Sequence, residues 1–75
     1  MDSIVIVWRN TEGHICDTWY DRRKFRSLQK EYNAQEKVLA RTIVDTACRK
    51  FNLPKCTEII KTRAVGLDCG EESEW

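Results

Sequence analysis

A chain of 75 residues, 41% of them apolar, is long enough for one domain and buries only roughly 60% of its unfolded surface. That leaves little room for a deep catalytic cleft beside a full core. Thirteen basic residues against 12 acidic ones exclude a chain given over wholly to nucleic acid or an anionic membrane, though not a local charged patch.

Residues 3–9, SIVIVWR, form the strongest strand pattern. Ile4, Ile6 and Trp8 share one face and Val5 and Val7 the other, as in a strand central to its sheet. Residues 10–13 make a turn in which Gly13 supplies positive φ. Residues 14–20 return as the second strand of a hairpin, with Ile15, Asp17 and Trp19 on one face and His14, Cys16, Thr18 and Tyr20 on the other. This second face mixes polar and aromatic groups, so half coverage is expected.

Asp21 is placed to cap a helix over 22–32, with Phe25, Leu28, Gln29 and Tyr32 on its inner stripe. Residues 34–51 carry the longest helical periodicity: Leu39, Ala40, Ile43, Val44, Ala47, Cys48 and Phe51. Asn33 is the expected N-cap of this second helix, with Glu36 reaching back to it. One unbroken helix over 22–51 would run about 45 Å and overshoot a three-stranded sheet, so a break is expected near Asn33. Pro54 ends the helical run. A third strand is expected over 57–67, with Ile59, Lys61, Arg63, Val65 and Leu67 on one face and Ile60 and Ala64 on the other.

The expected fold class is α+β: a small β-β-α(α)-β domain over residues 1–69. Its three-stranded antiparallel sheet has the order 2-1-3, with one long or bent helix on one face. Residues 70–75 read as a flexible acidic tail ending on Trp75. The start lacks the charged and apolar regions of a signal peptide, and a cytoplasmic setting is expected.

Catalytic signals are absent from the sequence. There is one histidine, no Gly-rich phosphate loop and no Ser/His/Asp set. Cys16, Cys48, Cys56 and Cys69 contain no CxxC pair, and spacings of 32, 8 and 13 fit no zinc motif. His14 and Cys16 point the same way on a strand, but i,i+2 spacing holds them about 7 Å apart, too far for a base to activate a thiol. No catalytic residue, metal or cofactor is expected.

Two surfaces remain. Helices on one side leave the other sheet face open, with Val5, Val7 and one of Trp19 or Tyr20 on it; Trp75 is a further exposed aromatic. This predicts a non-enzymatic protein-binding module, an inhibitor or adaptor, with a homodimer among its forms. The alternative is nucleic-acid binding through 22–30, where Arg22, Arg23, Lys24, Arg26 and Lys30 stand without an acid. The order hairpin-then-helix is similar to that of small DNA-binding domains of the integrase-arm type, without a shared motif. The compact, aromatic-rich chain is similar in style to small accessory proteins of phages and mobile elements.

Overall fold

Strand β1 (Ser3–Asn10) lies at the centre of the sheet, as its two apolar faces require. The computed structural model describes residues 2–66 and the backbone of 72–74. β2 (Ile15–Asp21) follows β1 as an antiparallel hairpin; then come α1 (Arg22–Tyr32), α2 (Glu36–Phe51) and β3 (Cys56–Val65), which pairs antiparallel with the other side of β1. The expected α+β fold and the order β2-β1-β3 are both found. Within the acidic tail, Glu72–Glu74 form a short strand, β4, on the outer side of β3. Trp75, Leu67 and Cys69 lie outside the described residues.

The core sits between the sheet and the helices. Ile4, Ile6 and Trp8 of β1 meet Phe25 of α1 and Leu39, Ala40, Val44 and Cys48 of α2, with Cys56 and Ile59 from β3. Trp8 is 3% exposed, and its indole N–H donates to Thr18 Oγ1 at 3.0 Å, which satisfies the polar end of a buried ring. Cys16, Tyr20, Leu28 and Ile43 close the margins.

The expected break at Asn33 is present, but the capping differs. Asn33 is left-handed (φ 48°, ψ 44°) and ends α1, its N–H bonding the carbonyls of Gln29 and Lys30. It therefore cannot cap α2, whose N-cap is Gln35 without a side-chain bond. Asp21 does cap α1, accepting from Lys24 N–H at 3.1 Å. Tyr32 and Phe51, each about two-thirds exposed, fall outside the expected inner stripes because both close a helix beyond its packed part.

β3 departs from simple alternation. Its register against β1 shifts between Val7 and Trp8 and again between Arg9 and Asn10, leaving Ile60 and Thr57 as the extra residues. The bulge at Ile60 puts Ile59, opposite Trp8, on the same face as Thr62 and Ala64, opposite Ile6 and Ile4. Ile59 is consequently buried and Ile60 exposed, the reverse of their expected grouping. Asn10 secures the hairpin turn: it is 6% exposed, and its Oδ1 accepts from the N–H groups of Glu12 and His14 at 2.9 and 3.0 Å.

Candidate protein-binding surface

The sheet face away from the helices carries the odd-numbered residues of β1 and β2. Val5 pairs with Trp19 on one side and Arg63 on the other, and Val7 with Asp17 and Lys61. Ile15 stands at one end of this face beside Arg9, and Val65 beside Ser3 at the other. Trp19 is 59% exposed and Ile15 56%. A tryptophan this exposed gives up the hydrophobic gain of burying one of the largest apolar side chains.

The sequence left open whether Trp19 or Tyr20 occupies this face, and the hairpin register answers for Trp19. Tyr20 turns to the helix side and is half-buried, edge-on to Phe25 at 6.5 Å between ring centres. Val5 lies on the open face but is fully buried between its flanking neighbours, so it supports the surface and offers none of its own. Val7 is half-buried.

The basic segment is divided by its contacts. Arg26 is drawn inward: its guanidinium bonds Glu36 at 3.0 Å and Gln29 at 2.9 Å. Glu36 in turn accepts from the Thr62 hydroxyl at 2.7 Å, so one carboxylate joins α1, α2 and β3. Arg22 stands 4.0 Å from Asp2. Lys24 lies 6.0 Å from the centre of the Tyr20 ring. Arg23, Lys24 and Lys30 are exposed. Asp2 and Asp21 line the same shallow depression as Arg22, Arg23 and Arg26, which dilutes its positive charge.

A cleft of about 670 Å³ opens between the end of α2 and the start of β3, with Arg41, Asp45, Cys48, Arg49, Lys55 and Cys56 among its walls. Its chemistry is quiet. Burial, then the Asp45 carboxylate, raises the Cys48 thiol above its ordinary value. Burial also raises Cys56 and outweighs the nearby Arg41 cation. Both are thiols at neutral pH rather than nucleophilic thiolates. Arg41 is held by Asp45 at 3.4 Å and by the Cys56 carbonyl at 2.9 Å. His14 is exposed beside Glu12 in the hairpin turn and is not among the residues that line this cleft. Among the described residues no group of three or more His, Cys, Asp or Glu side chains is placed to hold a metal ion.

The fold and surface define a class: a small α+β domain with both helices on one sheet face and an aromatic-bearing open face. No family model, curated protein or solved structure matches the chain. No helix among the described residues is long and apolar enough to cross a membrane.

Proposed function

We propose that this chain is a non-enzymatic protein-binding module, an inhibitor or adaptor, that engages its partner through the open sheet face. The observation that carries this reading is Trp19, 59% exposed on a face no helix covers, with Val7 diagonal to it and exposed Ile15 at the far end of the same strand. Solvent-exposed tryptophans are over-represented among the residues that dominate protein interfaces. Trp19 sits in an unbroken antiparallel strand pair, so an aromatic anchor there binds with little backbone ordering. A cytoplasmic setting suits the unbridged thiols of Cys16, Cys48 and Cys56.

The test compares wild type with Trp19→Ala in capture from nuclease-treated lysate, followed by titration against the purified captured protein. Loss of an anchor of this kind costs about 2 kcal/mol, so binding should weaken roughly 30-fold. Equal affinity of the two proteins would overturn the reading.

A second reading, nucleic-acid binding, draws on the exposed Arg23, Lys24 and Lys30 of α1, with Arg22 beside them. It is favoured if capture collapses on nuclease treatment and if Arg23→Ala with Lys24→Ala flattens the salt dependence. Arg26, committed to Glu36, is the least suited of the five cations to a phosphate.

A further inference from the structure

The two edges of the sheet are treated differently. On the β3 side, two bulges interrupt the strand and β4 pairs along its outer flank. On the other side, β2 pairs with β1 through seven consecutive residues without a register shift, and nothing among the described residues pairs with its outer flank. Its sequence, ICDTWYD, has no proline and no bulge, two of the usual devices that stop an edge from pairing, and its charged residues are Asp17 and Asp21.

The hairpin fixes which backbone groups face outward. Asn10 N–H bonds the His14 carbonyl, and Arg22 N–H bonds the Asp2 carbonyl. Since bonded and non-bonded pairs alternate in an antiparallel ladder, the even-numbered residues of β2 bond to β1. The N–H and C=O groups of Ile15, Asp17, Trp19 and Asp21 therefore point away from the sheet.

We infer that this edge binds the same edge of a second copy of the chain, antiparallel, about a two-fold axis at Thr18. The strand's own sequence selects this occupant and this register. With the axis at Thr18, all of Ile15–Asp21 is paired: Asp17 stands opposite Trp19 of the second copy, Ile15 opposite Asp21, Cys16 opposite Tyr20 and Thr18 opposite itself. No carboxylate faces another directly; the two Asp17 side chains stand on the diagonal across the axis. The neighbouring two-fold registers are worse on both counts. An axis at Asp17 pairs only residues 15–19 and sets Asp17 against its own copy; an axis at Trp19 pairs only 17–21 and sets Asp17 against Asp21. Like charges directly opposite destabilise a strand pair, whereas Thr–Thr pairs support one. The Thr18 hydroxyl already accepts from Trp8, which leaves its proton for the second copy's Thr18. The two Trp19 rings become diagonal neighbours, within reach of each other, on one continuous open face.

This edge is distinct from the Trp19 side-chain surface, and the experiment separates them. Sedimentation equilibrium over a range of concentrations should show wild type rising from 8.9 kDa towards twice that mass. In parallel, amide exchange at Ile15, Asp17, Trp19 and Asp21 should slow by about tenfold or more as the dimer fills. Asp17→Pro removes an outward N–H that the β1 ladder does not use, and should leave a folded monomer. Trp19→Lys places a cation opposite the second copy's Asp17; it should keep the dimer while losing any partner held by the open face. A monomer at all concentrations overturns the inference. So does a dimer whose four amides exchange as fast as in dilute solution, or one that survives in folded Asp17→Pro. Should Asp17→Pro not fold, wild-type exchange at the four amides decides.

Discussion

Thr62, 6% exposed in β3, donates its hydroxyl to Glu36 at 2.7 Å, while Arg26 holds the other carboxylate oxygen at 3.0 Å. Three elements meet on this one side chain, directly after the break between the helices. Glu36→Ala leaves the Thr62 hydroxyl without its acceptor and should lower the unfolding free energy by about 1–3 kcal/mol in urea titration. Arg26→Ala should cost less, about 1 kcal/mol or below, because the ion pair is partly open to water. Equal costs for the two variants would mean that the ion pair, not the buried hydroxyl, carries the junction.

Two turn positions have left-handed backbone and should respond in opposite ways to small substitutions. Gly13 has φ +82° with open space where a side chain would go, so Gly13→Ala pays only for the backbone, about 1 kcal/mol. Asn33, at φ 48°, already bears the cost of a side chain there, and Asn33→Gly should be neutral or mildly stabilising. Thermal unfolding of both variants checks the pair.

Stability should fall as pH rises above about 9, the ordinary value for the Cys48 and Cys56 thiols. Both are raised in the folded state, first by burial. Between the unfolded and folded values, the unfolded chain sheds protons that the folded one keeps. Unfolding is then favoured, and the full stability is retained only below the unfolded value. The double variant Cys48→Ala, Cys56→Ala should show a shallower decline on alkaline urea titration. An unchanged slope would assign the decline to other groups.

Trp19 and Val5 share a strand pair but differ sharply in exposure. Trp19→Lys should change stability by about 1 kcal/mol or less. Val5→Asp replaces a fully buried apolar side chain with a desolvated carboxylate, which costs more than the neighbouring Arg63 returns, and should show as loss of cooperative unfolding. The contrast makes Trp19, not Val5, the position at which binding can be altered without loss of the fold.

Much of this architecture was legible because local chemistry and tertiary demand agree. The two-sided apolar pattern of β1 marked it as central, Asp21 supplied the cap its residue type suggests, and a 30-residue helix was too long for the sheet. The rest depended on contacts made across the chain. Asn33 and Glu36 matched a capping box in spacing, yet Asn33 was claimed by the end of α1 and Glu36 by Arg26 and Thr62. The faces of β3 do not follow simple alternation because a bulge adds one residue to a period of two, and residue types around Ile60 carry no sign of it. Alternation puts Val5 on the open side of the sheet, whereas its full burial depends on what stands on the neighbouring strands. The turn-holding role of Asn10 was hidden for a related reason. An asparagine before a glycine-bearing turn is commonplace, and only the closed hairpin brings two N–H groups to its side chain.

The placement of β1 also sets an order of events during synthesis. Its hairpin partner β2 follows at once, but β3 comes after both helices; Arg9 waits for Glu58, 49 residues later. At about 5–20 residues per second, one flank of the most apolar strand stays unpaired for several seconds as the chain leaves the ribosome. The segment IVIVW, β-prone and uncharged, is the kind that assembles with its neighbours when left open. Both helices emerge within that interval and can cover Ile4, Ile6 and Trp8 before β3 arrives. The inner face of the first strand can thus be closed before its second edge is, and only that edge waits for β3.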